Sequence, residues 1–318
     1  MVNIANKLRV IFGDSTIGIK GEGFHYIFTF DKVSGLESLS KNGKEWIYRA
    51  PRPTFWRATT DNDRGNKFSY RSQMWLGADF FARVIDHHIL ADGVQVVRPL
   101  AMVNGKPINE QLLETIAITF VYETGTVPNT TVDITYTVTL NGTINVNMKY
   151  YGKVGLPQLP VLGIRFIMPT MATGFRYEGL SGETYPDRMA GGVPDVYSTK
   201  GLPVTPYMLP QDCGVHMATK WVEITRNTTR SNVNRSNDEF SLRFEQDKEK
   251  FAFTCLPYTA AELESATHHE ELPPPRFTVL TMLAKVRGVG GIDSWGADVE
   301  EAYHIDGEQN YEFSFLIK

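Results

Sequence analysis

Apolar and polar positions alternate along much of this chain with a period of two. In Phe24-His25-Tyr26-Ile27-Phe28-Thr29-Phe30 an aromatic ring stands at every second position, which gives a pleated strand one apolar face. Residues 131–140 read TVDITYTVTL and residues 143–151 read TINVNMKYY. Two such β-branched segments joined at Asn141-Gly142 predict a hairpin, because Asn and Gly tolerate the positive φ of a type I′ turn. Asn42-Gly43 predicts a second hairpin tip, and Asp92-Gly93 and Asn104-Gly105 predict turns. Further strands are predicted over 115–122, 161–168, 215–224, 240–244, 251–255, 277–286 and 311–318.

Helical spacing is rare. Met74, Ala78, Phe81, Ala82 and Ile85 would share one helix face. Thr259-Ala260-Ala261-Glu262 has the form of a capping box that opens a second short helix. Many antiparallel strands with one or two short helices define an all-β sandwich or barrel, and no 20–50-residue repeat points to a propeller. No Ser/Gly linker divides the sequence, so residues 1–318 are expected to form a single β-sandwich domain.

Composition narrows the function classes. Of 318 residues, 42% are apolar and 21% charged, which excludes disorder and collagen. The 32 basic and 36 acidic side chains leave a net charge of −4, with no footprint for nucleic acid or an anionic membrane. The start, MVNIANKLRVIFGDS, lacks a leader pattern, and no run approaches the roughly 18 apolar residues of a membrane span, so a cytoplasmic location is expected. Cys213 and Cys255 are then expected to be thiols, and the four sequons at Asn129, Asn141, Asn227 and Asn234 to be chance matches. Two cysteines and scattered histidines give no metal-ligand spacing, and adjacent His268-His269 point apart in any regular element.

Three segments concentrate chemistry. Phe55-Trp56-Arg57-Ala58-Thr59-Thr60-Asp61-Asn62-Asp63-Arg64-Gly65 fits either an Asx-type turn or a structured functional loop. In the second, 177–188, Glu183 and Asp187 invite comparison with a glycosidase carboxylate pair. That chemistry needs separations of about 5–5.5 Å for retention or about 6.5–9.5 Å for inversion, which a spacing of four in a Gly/Pro-interrupted loop does not fix. A structural role is the alternative for both. The third, Gly288-Val289-Gly290-Gly291-Ile292-Asp293-Ser294-Trp295-Gly296, has no P-loop lysine; it sets a Trp behind a flexible Gly-rich arm, either as a sugar platform or as a core residue.

In their order along the chain, these segments resemble the C-terminal domain of glycoside hydrolase family 2 β-galactosidases. Arg57–Gly65 is followed by Gly182-Glu183-Thr184-Tyr185-Pro186-Asp187-Arg188, by Pro206-Tyr207 with Pro210-Gln211-Asp212-x-Gly214, by Tyr258-Thr259-x-x-Glu262-Leu263 with His268, and by Gly290-Gly291-Ile292-Asp293-Ser294-Trp295. Thr60 departs from the small residue or proline common in relatives, and Cys213 from the more usual Asn; residues 66–70 match poorly. The chain is most similar to the small chain of the two-chain enzymes.

The resemblance implies a galactose-mutarotase-like antiparallel double-sheet super-sandwich. It places the catalytic glutamates, magnesium and sodium on a large partner chain and none of them here. It also implies that Trp295 is a platform for the leaving-group sugar, with Asp293 and Ser294 supporting it. Asp61, Asn62, Asp63, Arg64 and Gly65 would form an active-site loop, with the segment from Gly65 mobile over the pocket, and Glu183 and Asp187 would support the site. The expected function is then completion of a β-galactosidase active site that cleaves β-D-galactosides such as lactose. The alternative is a free-standing carbohydrate-binding or mutarotase-like sandwich, whose chemistry would need a histidine and a carboxylate converging on one sugar.

Overall fold

The computed structural model describes residues 7–31, 33–97, 110–233, 235–291 and 296–318. Its strands form three sheets in which all neighbours run antiparallel. The first sheet orders Lys44–Glu45, Gly35–Lys41, Phe24–Thr29, Thr16–Gly21, Leu8–Phe12 and Glu110–Leu113. The second has ten strands, in the order Pro194–Lys200, Gly174–Leu180, Trp221–Arg226, Phe240–Gln246, Tyr311–Ile317, Ile144–Tyr150, Thr131–Thr139, Thr115–Glu123, Arg83–Ala91 and Val94–Val96. A five-stranded sheet, Val215–Thr219, Phe251–Leu256, Thr278–Val286, Val161–Met168 and Arg52–Thr54, completes the all-β architecture.

Period two decides which side chains enter the core. In Phe24–Thr29 the rings of Phe24, Tyr26 and Phe28 are buried, and in Thr115–Glu123 every second residue is. The main cluster joins all three sheets: Phe28 meets Tyr136 at 5.5 Å, and Phe166 meets Phe244 at 5.3 Å. Phe251–Leu256 is buried on both faces. One side of its sheet serves this core, and the other packs Val161, Val215, Ala252 and Leu283 with Tyr185 in a separate cluster. That second cluster supports the candidate site.

Three local expectations are corrected. The helix through Met74–Ile85 breaks at Gly77 (φ +75°) into the 3₁₀ turn Gln73–Trp75 and the single helical turn Ala78–Phe81. Ile85 belongs to the strand Arg83–Ala91, as the bulge residue between Val84, opposite Tyr122, and Asp86, opposite Val121. At Asn141-Gly142 only Gly142 has positive φ; Gly142 N donates to Thr139 O (2.9 Å) and Thr139 N to Thr143 O (3.1 Å). This is a three-residue loop closed by a left-handed glycine, whereas positive φ at both residues occurs at Asn42-Gly43 and Asp92-Gly93. Residues 215–224 divide into Val215–Thr219 and Trp221–Arg226, separated at Lys220, two residues after the left-handed Ala218 (φ +53°). The Thr259 capping box forms as the sequence predicts, with Glu262 N donating to Thr259 Oγ1 and Thr259 N to Glu262 Oε2. Asn104-Gly105 lies outside the described residues.

Candidate functional site

Residues 55–65 are neither a free loop nor a simple Asx turn. Thr60 caps the short helix Asp61–Gly65 in a reciprocal box: Asp63 N donates to Thr60 Oγ1 (3.2 Å) and Thr60 N to Asp63 Oδ2 (3.1 Å). The buried Asp63 carboxylate also receives Arg57 Nη2 at 3.1 and 3.2 Å, and the buried Arg287 guanidinium lies 3.8 Å away. Arg57 also donates from Nη1 to the carbonyl of Arg287 (2.7 Å) and from Nη2 to that of Gly288 (2.9 Å). Burial opposes the Arg57 charge, but Asp63 and Asp212 outweigh it and raise the guanidinium pKa. Glu264, on the helix Ala260–Ser265, accepts from Thr59 N (2.6 Å), Thr59 Oγ1 (2.8 Å) and Trp56 Nε1 (3.3 Å), so the fourth motif braces the first.

Arg57 hands this order on to residues 288–291. Asp187 accepts from Val289 N (3.0 Å) and Gly290 N (2.7 Å), Asn62 Nδ2 donates to Val289 O (3.0 Å), and Arg188 donates to Gly290 O. The glycine-rich arm is therefore held, and its glycines serve close packing. Gly291 has φ +76°, and a Cβ there would lie 2.3 Å from Asn62 Nδ2. Gly296 lies against the Gly65 carbonyl, where a Cβ would approach to 3.2 Å. Asp293, Ser294 and Trp295 lie outside the described residues, but both flanks of their segment are thus fixed to the helix Asp61–Gly65.

The downstream flank is held by Asp298, which accepts from Arg71 Nη2 (3.0 Å) and Val299 N (2.8 Å) and is paired with Arg287. The segment after Gly65 shares this anchor. Asn66 Oδ1 accepts from Phe68 N (2.7 Å), the short helix Phe68–Arg71 follows, and Phe68 is buried 3.9 Å beneath the Arg287 guanidinium.

The first, second, third and last motifs meet at a cleft of about 490 Å³. Asp61 and Asn62 stand on one wall; Asp61 receives Tyr207 Oη and Arg64 Nη1 (3.0 Å). Glu183 and Arg188 stand on another, with Glu183 accepting from the Thr205 hydroxyl. Glu183 and Asp187 are thus committed to different partners, a hydroxyl and two backbone amides. Arg188 pairs with a carbonyl and makes no ion pair with Asp187 among the described residues. Gln211 and Asp212 close the cleft beside Val289 and Gly291. Burial lifts the Asp212 carboxyl to about 7, against the pull of Arg57 and the Tyr185 hydroxyl that donates to it at 2.9 Å. Burial likewise holds the Tyr185 phenol well above its ordinary range. A larger groove of about 850 Å³ opens beside Tyr48, Phe80 and Phe277, but the motifs at 60–62, 183–188 and 289–291 line the smaller cleft.

Tyr207, Gln211 and Asp212 stand in the ordered motifs but carry no local sign of a site. Arg287 and Asp298 have no sequence signal, since only the fold brings them to Asp63. Asp63 and Asp79, the two least exposed carboxylates among the described residues, each sit on an arginine, with Asp79 paired to Arg165. His216, the one buried histidine among the described residues, is enclosed by Phe175, Tyr177 and Phe253 instead of facing an acid, and burial lowers it to about 4. Among the described residues no group of three or more His, Cys, Asp or Glu side chains could hold a metal ion.

An all-β sandwich whose ordered glycosidase motifs converge on one cleft belongs to the glycosidase subunits. The family described as β-galactosidase small chain matches residues 20–317, and the chain belongs to that family. It is 54% identical over 317 residues to the β-galactosidase small subunit of Latilactobacillus sakei, covering all of this chain and 99% of that one. The β-galactosidases of Streptococcus thermophilus and Halalkalibacterium halodurans are 30% and 32% identical over 98% and 99% of this chain, which spans 28% of the length of each. A galactose mutarotase-like protein from Lactobacillus casei superposes over 95% of this chain and 99% of its own, with a TM-score of 0.42 and 10% identity.

Proposed function

We propose that this chain docks on a large catalytic β-galactosidase chain and completes its active site for the retaining hydrolysis of terminal β-D-galactosides such as lactose. The catalytic glutamates, magnesium and sodium belong to the partner. This chain contributes Trp295 as a platform for the leaving-group sugar, with Asp293 and Ser294 beside it. The helix Asp61–Gly65 holds the base of that segment, Asp187 and Arg188 hold its upstream flank, and Glu183 lines the adjoining cleft. The segment after Gly65 borders the same flank and gates the pocket by releasing the Arg71–Asp298 contact. A cytoplasmic location agrees with Cys213 and Cys255, which are buried free thiols; burial pushes Cys213 up to about 12.

The observation that carries this reading is the match over nearly the whole length of a separate small subunit, alongside alignment to little more than a quarter of longer β-galactosidases. Purified chain should hydrolyse no galactoside by itself, and mixing it with the large chain should restore turnover. Galactosidase activity of the chain alone would refute the division of labour. The free-standing mutarotase-like alternative gains no support from His216, which has aromatic neighbours where that chemistry needs a carboxylate.

A further inference from the structure

We infer that the large catalytic chain docks on the outward face of residues 74–81 and on the groove of about 850 Å³ beside it, with an apolar contact on Phe80 and Phe81 and an acidic segment in the groove. The inference rests on the small-subunit reading, which supplies the partner but leaves its contact surface unassigned. The helical turn Ala78–Phe81 follows the left-handed Gly77 and spends its inward face on Ala78 and on Asp79, whose carboxylate pairs with Arg165 at 2.6 Å. Phe80 and Phe81 are thereby turned outward, 59% and 75% exposed. Taken at about 200 Å² each, the two rings leave roughly 270 Å² in water. Met74, Leu76 and Val127 are exposed as well; Phe81 lies beside Gly125, and Val127 N donates to Met74 Sδ at 3.3 Å. With these added the patch reaches the roughly 300–600 Å² at which exposed apolar surface is often functional. A stable interface takes about 800 Å² per partner, so the patch supplies a large part of one, and the groove whose wall includes Phe80 supplies the rest.

Charge decides what enters the groove. Among its acids, Asp79 is paired with Arg165, Glu262 accepts from Thr259 N and Oγ1, and Glu271 accepts from Thr267 N and Oγ1. Arg49, Arg52 and Arg276 have no carboxylate partner among the described residues. Arg52 reaches the Ala82 carbonyl at 3.4 Å, and Arg49 and Arg276 lie over the rings of Tyr48 and Phe277. Three guanidiniums thus stand against one uncommitted carboxylate, Glu37, and the surplus attracts an acidic segment. A second copy of this chain is the poorer occupant, because a two-fold contact presents the same surplus of guanidiniums from both sides.

The place agrees with what the partner must reach. Asn66, which ends the helix Asp61–Gly65, accepts from Arg71, and the chain runs on from there through Gln73–Trp75 into the patch. Across the groove, the helix Ala260–Ser265 presents Ala261 and Ser265, while its Glu264 holds Thr59 and Trp56 at the base of the candidate site. A chain seated here therefore contacts the helix that braces the site.

The test titrates the large chain with this chain and follows o-nitrophenyl β-D-galactoside hydrolysis. It reads the concentration of small chain at half-maximal activity and the activity at saturation. Phe81→Ser and Arg276→Glu should each raise the first about tenfold and leave the second within twofold of the parent, since neither residue lines the cleft at Asp61 and Glu183. Added salt should raise the half-saturating concentration more for the parent than for Arg276→Glu. Half-saturation within twofold of the parent in either folded variant overturns the inference. Arg276 is exposed, so its charge reversal leaves a folded variant to measure should Phe81→Ser not fold. Self-association of the parent small chain that Phe81→Ser abolishes, with the titration unchanged, would give the patch to a second copy and also overturn it. A parent mixture with no activity removes the small-subunit reading, and this inference with it.

Discussion

Asp63→Asn is the sharpest probe of the charge cluster beneath the site. The substitution keeps the side-chain shape and one carbonyl acceptor but removes the charge that faces two guanidiniums. Arg57 and Arg287 are 2% and 0% exposed, so water cannot replace that charge. Breaking a buried ion pair from one side costs about 3–5 kcal/mol. Arg287 keeps Asp298, and Arg57 keeps two carbonyls and the more distant Asp212, so the loss should fall at the lower end, at about 3 kcal/mol. Urea unfolding followed by tryptophan fluorescence measures it, with the variant compared at equal slope so that only the midpoint reports stability. Reconstituted activity should fall as well, because Arg57 is the link from Asp63 to the carbonyls at the start of the 288–291 segment. A destabilisation below about 0.5 kcal/mol would refute the cluster as a structural keystone, since that is the range of ordinary surface substitutions.

Trp295→Ala should weaken leaving-group sugar binding by about 1–3 kcal/mol if the indole is desolvated, read as lost transgalactosylation to added glucose; an unchanged acceptor preference would mean that the ring is merely packed. Gly291→Ala forces a Cβ to 2.3 Å from Asn62 Nδ2 at a φ of +76°, so lower stability and lower reconstituted activity should appear together, and parent-like values for both would remove the close-packing argument. Asp212 has its folded pKa raised from 3.8 to about 7, so the native chain binds more protons than the unfolded chain between those limits and this group's contribution to stability is lost as pH rises through about 7. Asp212→Asn should therefore be less destabilised than the parent on going from pH 5 to pH 8, and an identical stability profile would show that this carboxyl is ordinary.

Much of this fold was legible because period two is a local signal. The alternation at 115–122 and 131–139 fixed strands that the structure reproduces, since burying every second residue leaves little choice of face. The capping box at Thr259 was equally local, two side chains closing on each other's amides. Helical spacing at 74–85 misled because five apolar residues satisfy a pattern without saying what competes for the backbone. The partner of the strand that takes in Ile85, Thr115–Glu123, begins some thirty residues downstream in the chain.

The candidate site divides in the same way. Residue order alone supplied the motifs, the family and the glycines around Trp295, because those are properties of consecutive side chains. Only the tertiary structure decided that Asp63 lies between two buried arginines, that Asp187 holds amides instead of acting with Glu183, and that Gln211 and Asp212 face the same cleft as Asn62. Charge pairing and desolvation depend on which groups are brought within a few ångströms and shielded from water, and in this chain those groups are up to about 230 positions apart.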